Sequence, residues 1–192
     1  LGGLCHISAA SAPDGAVLHL TPLHSITFGE RDSAAPRART QAIRDVFAAA
    51  RFDSVLADNV MQDMWEKFVF ITSLASMTCL MRASVGEIVA TDEGRALNEA
   101  MYGMCAAVSA AAGYPIRAQA HTRGLAFLTQ AGSPMTASML RDLESGGRVE
   151  ADHIVGDMLR RARAAGVDVW LLRVAHAHLQ AYQQRLGRVS RQ

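Results

Sequence analysis

Lys67 lies between Trp65 and Phe68, in an otherwise apolar stretch that runs to Ala75. A lysine held among apolar neighbours loses part of its hydration, which suits it to giving up a proton. The same pattern also fits a lysine that snorkels from the edge of a helix. Glu150 follows Gly146-Gly147-Arg148 and opens a helical pattern, so it is either a carboxylate placed for function or an acid that complements the helix dipole. Ser138, with Ser133 and Thr136 nearby, reads as a hydroxyl contact or as a neutral helix residue. Arg82 closes the helix that holds Lys67, where a cation is favourable in any case. His176 and His178 stand two apart on a helix and point to different sides, which makes a poor metal site. The chain has no GxGxxG, no P-loop and no GxSxG elbow.

These residues need elements to carry them. Leu4 to Ala9, Ala16 to Thr21 and Ile26 to Phe28 read as short strands, with Asp14-Gly15 as a turn between the first two. Residues 38–51 have helical spacing, and Phe52 to Leu56 is a further strand. From Asp58 the pattern is helical. Asn59 and Gln62 have capping-box spacing before a helix that reaches about Met81. Further helices are expected from Thr91 to the Gly113/Pro115 stop and over 117–130. Another should run from Ser133-Pro134 to Gly146-Gly147, then Val149 to Ala165, and finally Val169 to Leu186 before Gly187. The expected fold is mainly α: an all-helical domain over 58–192, preceded in 1–57 by the last strands of an incomplete Rossmann-like α/β domain.

A formal charge of +1, with arginines scattered along the chain, gives no reason to expect nucleic acid or a membrane surface as a partner. Cys5, Cys79 and Cys105 are an odd number without close pairing, consistent with reduced thiols in a cytoplasmic protein. The sequence opens on Leu1-Gly2-Gly3-Leu4, without an initiator Met and in mid-domain character, so a preceding segment is expected.

Three groups of residues together resemble the ketopantoate reductase (2-dehydropantoate 2-reductase) family. They are Trp65-Glu66-Lys67-Phe68 with Gly86-Glu87-Ile88; Ser138-Met139-Leu140-Arg141-Asp142-Leu143-Glu144 with Glu150-Ala151-Asp152 and Arg160-Arg161-Ala162; and Gly2-Gly3-Leu4 with Phe28-Gly29-Glu30. The resemblance spans nearly the whole chain. It implies a nicotinamide-binding Rossmann domain ahead of a helical domain, with NADPH delivering hydride to a 2-keto acid, as in pantothenate biosynthesis. On that footing Lys67 is the general acid, Glu150 and Ser8 contact the NADP cofactor, and Ser138 contacts substrate.

The family carries asparagines four and eight residues after the lysine and one just before the Gly-Glu pair; here these positions are Ile71, Ala75 and Val85. Each lost amide costs a hydroxylated substrate roughly 1 kcal/mol or more, so the reaction type is carried further than the substrate. Arg82 is then a candidate for holding a substrate carboxylate. Two other readings stand beside this one: a non-catalytic helical module that forms a homodimer, and a related dehydrogenase acting on another hydroxy acid. Without a glycine loop, the chain by itself is expected to be inactive.

Overall fold

The computed structural model describes residues 1–12, 14–32 and 34–189. Residues 1–65 and 66–192 form two compact units, which divide inside a long helix. The molecule is mainly α, with a small mixed sheet at the start of the chain.

In the first unit β1 (Gly2–Ser11) pairs antiparallel with β2 (Val17–Gly29), and β3 (Asp53–Leu56) pairs parallel with β2 after α1 (Ala38–Phe47). The Asp14-Gly15 turn forms as expected. Ala12 N–H donates to the Ala16 carbonyl (2.8 Å), Asp14 Oδ1 accepts from Ala16 N–H (3.0 Å), and Gly15 has φ +86°. The two strands expected over 16–28 are one, with an irregularity in its middle. Register passes from Ile7↔His24 to Ala9↔His19, leaving Ser8 opposite four residues that include Pro22. A proline has no N–H for the ladder, and a bulge is where a strand tolerates one. Gly29 lets β2 run close to the chain that leaves β3: a Cβ there would lie 2.9 Å from the Ala57 carbonyl. Phe28, Phe47 and Phe52 stack edge to face, with centroids 5.3 and 5.2 Å apart. Beside them Arg39 Nε donates to the buried Glu30 (2.8 Å) and a second guanidinium N–H closes the fork.

The second unit is built on α2 (Val60–Met81), buried without interruption from Thr72 to Cys79. The hydroxyls of Ser73 and Thr78 donate back to the carbonyls of Val69 (2.8 Å) and Leu74 (2.7 Å), so small polar side chains sit in the core without needing distant partners. Asn59 caps α2, its Oδ1 accepting from Gln62 N–H at 3.1 Å. There follow α3 (Val85–Val89), α4 (Gly94–Ala111), α5 (Ala118–Leu128), α6 (Ser138–Glu144), a π-helical turn (Asp152–Gly156) that leads directly into α7 (Asp157–Ala165), and α8 (Trp170–Val189). Their apolar faces supply Met101, Leu128, Leu143, Met158, Leu172 and Leu179 to the core.

Several boundaries differ from the sequence expectation: α4 starts at Gly94 and not Thr91, and the helix expected from Val149 begins only near Ala151. The short α3 has a full capping box: Ser84 Oγ accepts from Glu87 N–H (3.4 Å) and Glu87 Oε2 accepts from Ser84 N–H (2.7 Å). Ser133-Pro134 does not start α6, whose N-cap is Ala137. That stretch is extended because the carbonyls of Ser133 and Met135 accept from Gly86 N–H (2.8 Å) and Val85 N–H (2.9 Å), satisfying the first turn of α3. Lastly, α8 runs through Gly187 to Val189.

Candidate functional site

Lys67 sits half-buried on α2, two residues beyond the last residue of the first unit. It is the chain's one lysine; the other basic residues among its 19 are all arginines. The turn that carries it is fixed by its neighbour. Glu66, its side chain 10% exposed, receives Arg117 Nε (2.7 Å) and Nη2 (2.6 Å) in a bidentate pair, and its Oε1 also accepts the Arg117 backbone N–H (3.1 Å). Arg117 is the N-cap of α5, so this pair ties α2 to α5 beside Lys67. The sequence held the signal in Trp65-Glu66-Lys67-Phe68, but a contact across 51 residues is not visible in spacing.

Ile71, Leu74 and Thr78 continue the Lys67 stripe along α2 at helical spacing. Of the three positions noted above, Ile71 is half-buried, while Ala75 (3% exposed) and Val85 (1%) belong to the core. Thr78 Oγ1 accepts from Ala137 N–H at 3.4 Å, which brings the start of α6, and so exposed Ser138, to the far end of this stripe. By helix rise that is about 16 Å along α2 from Lys67. The structure therefore places Lys67 and Ser138 along one face of α2 and not side by side.

Arg82 is exposed just past the end of α2 and is the one non-glycine with positive φ (+54°) among the described residues. Ala83 N–H donates to the Thr78 carbonyl (3.3 Å), the six-to-one bond of a Schellman end. Helices α4, α6 and α7 end in the same way, but with Gly113, Gly146 and Gly166 at the left-handed position. An arginine there is strained, and such strain gathers at functional positions. Arg82 also draws down the thiol of Cys79, although burial is the larger effect and pushes it up to about 12. Burial likewise pushes Cys105 up to about 12, so both thiols are inert.

Glu150 is exposed, two residues ahead of Asp152, where the π turn begins. The segment ahead of it is fastened to α8: Tyr182 Oη donates to the Gly147 carbonyl (2.7 Å) and Gln183 Nε2 to that of Val149 (3.3 Å). Ser8 belongs to the first unit, half-exposed at the irregularity of β1.

A family model described as ketopantoate reductase PanE/ApbA C terminal matches residues 59–183. YkpB, an uncharacterized oxidoreductase of Bacillus subtilis (strain 168), is 29% identical over 183 residues, covering 95% of this chain and 60% of that protein. A dimeric ketopantoate reductase from Staphylococcus aureus superposes with a TM-score of 0.81 at 24% identity, over 96% of this chain and 62% of its own. D-mandelate dehydrogenase, solved with NADH and anilino(oxo)acetate, gives 0.80 at 14% identity, over 95% and 60%. At these identities the two structures speak for the fold alone. The chain spans less than two thirds of the length of each of these relatives.

Proposed function

The chain belongs to the ketopantoate reductase family, and from that premise we propose that it forms the helical part of an NADPH-dependent enzyme reducing a 2-keto acid to a 2-hydroxy acid, with Lys67 as proton donor. The observation that carries this reading is the setting of Lys67: the one lysine of an arginine-rich chain, half-buried on a helix whose adjoining Glu66 is locked by Arg117.

Bound NADPH supplies hydride to the ketone carbon. The Lys67 ammonium faces the ketone oxygen, stabilises the negative charge that develops there and then passes a proton from Nζ to the alkoxide. Ser138 donates a hydrogen bond to substrate, and Arg82 receives its carboxylate; a guanidinium matches that group in geometry and charge. Each unit by itself offers a residue that suits a polar group of the cofactor. Glu150 offers an exposed acceptor on a backbone tied down by α8, fit for a hydroxyl or amide, and Ser8 offers a hydroxyl from the sheet. Neither is a glycine-rich cradle for a pyrophosphate. We place the enzyme in the cytoplasm as a homodimer. The inert thiols suit a reducing compartment, and the S. aureus relative is dimeric. No helix among the described residues is long and apolar enough to cross a membrane.

Full-length protein carrying Lys67→Ala should lose most of its turnover with NADPH and 2-keto acids while still binding NADPH. Near-normal turnover in that variant overturns the assignment. One observation favours a second reading of the substrate: Ile71, one turn after Lys67, puts an apolar side chain next along its stripe. A 2-keto acid with an apolar substituent then suits the site better than a hydroxylated one, and comparing kcat/KM for the two classes decides between them.

A further inference from the structure

We infer that His176 is a positioning residue for Glu150, acting through the π turn that follows that carboxylate; this rests on the reading of Glu150 as a cofactor contact. A π turn is rare and is kept where something holds it. Here His176, its side chain 13% exposed, places Nε2 3.1 Å from Asp152 Oδ1, the first residue of the turn. The last residue of the turn is Gly156, where a Cβ would stand 3.0 Å from the same Nε2. The imidazole thus touches both ends of the turn, and glycine at its close is what lets the ring approach.

On the other side of Glu150 the chain is held by the same helix. Tyr182 and Gln183 bind the carbonyls of Gly147 and Val149 at 2.7 and 3.3 Å. His176 and Gln183 are seven residues apart, so both lie on one face of α8, about 10 Å from each other along its axis. Residues 147–152 are therefore anchored to one rigid helix at both ends, with Glu150 between the anchors and exposed. An α-helical path through residues 152–156 would hold one residue less per turn and would rotate Glu150 about its axis by about 100°. Neither Asp152, with its side chain 64% exposed, nor Gly156 has a core-filling task that would otherwise explain the arrangement.

The test is NADPH titration of the full-length protein by fluorescence, with thermal melts on each variant. Glu150→Ala should raise the Kd for NADPH. His176→Phe, which keeps a ring but no donor, and Asp152→Ala, made at an exposed side chain, should each raise it by about tenfold. His176→Gln, which keeps a donor, should restore binding. In the Glu150→Ala background His176→Phe should add nothing further. If His176→Phe and Asp152→Ala leave Kd unchanged while Glu150→Ala raises it, the positioning role is wrong and the reading of Glu150 stands. Equal losses from His176→Phe with and without Glu150 mean a merely structural role and also overturn the inference. An unchanged Kd in Glu150→Ala removes the reading of Glu150, and the inference with it.

Discussion

At the scale of single residues, Lys67 can do what an arginine cannot. A guanidinium keeps the positive charge and stays protonated at every working pH, so it stabilises an oxyanion without passing on a proton. Lys67→Arg should therefore retain NADPH affinity while losing most of kcat, and a single-turnover measurement would locate the loss in the chemical step. An arginine that turned over normally would reduce the role of Lys67 to electrostatics alone. Arg82 invites the opposite experiment. Glycine adopts the left-handed conformation freely, as Gly113, Gly146 and Gly166 do at equivalent helix ends. Arg82→Gly should stabilise the protein by up to about 1 kcal/mol and raise KM for the 2-keto acid. A higher melting temperature without a change in KM would leave Arg82 strained for some reason other than substrate.

At the scale of elements, glycine at position 86 has a steric cause. A Cβ there would meet the backbone of Gly132 and Ser133 at 2.5 to 2.8 Å, and backbone cannot step aside as a flexible side chain can. Gly86→Ala should cost several kcal/mol, on the order of 3, by parting α3 from the extended strand of chain that caps it. A denaturant midpoint within error of the native protein would refute that. This contact also explains what sequence could and could not show. Asn59, Asp14-Gly15 and the apolar periods of the long helices act locally, and each appears in the structure near its expected place. Helix α3 is five residues long, too short for a period, although its Ser84 and Glu87 carried a legible capping box. Ser133-Pro134 has the chemistry of a helix start, but its carbonyls are engaged by α3, a partner distant in sequence. The left-handed turn at Arg82 carries no residue signal, since the usual glycine is absent. Of the candidate site, residue types and helix placement were legible; the Glu66–Arg117 lock and the anchoring of Glu150 by α8 were not, because each joins segments far apart in the chain.

At the scale of the whole molecule, each unit has its own electrostatic dependence. In the first, the hydrogen bonds from Arg39, outweighing burial, hold the Glu30 carboxyl below its usual range. A carboxyl lowered in the folded state contributes stability above its unfolded pKa, and that contribution is lost as pH falls through the folded value. In the second, the Ser84 hydroxyl and N–H lower Glu87, while Arg160 and Arg161 outweigh burial to lower Asp157. The melting temperature should thus fall on acidification below the ordinary carboxylate range. Glu30→Gln should flatten that dependence for the transition of the first unit alone, and an unchanged acid slope there would argue against the Arg39 fork as its source.

The lone lysine also gives this chain a spectroscopic handle. Reductive methylation with carbon-13 formaldehyde marks every accessible primary amine, and in this chain the side-chain amines number one. Its dimethyl resonance, told apart from the terminal amine by comparison with Lys67→Arg, would follow the protonation of the proposed acid directly. In the full-length protein, the one resonance that Lys67→Arg removes could be followed as cofactor and keto acid are added in turn, without selective isotope incorporation during expression.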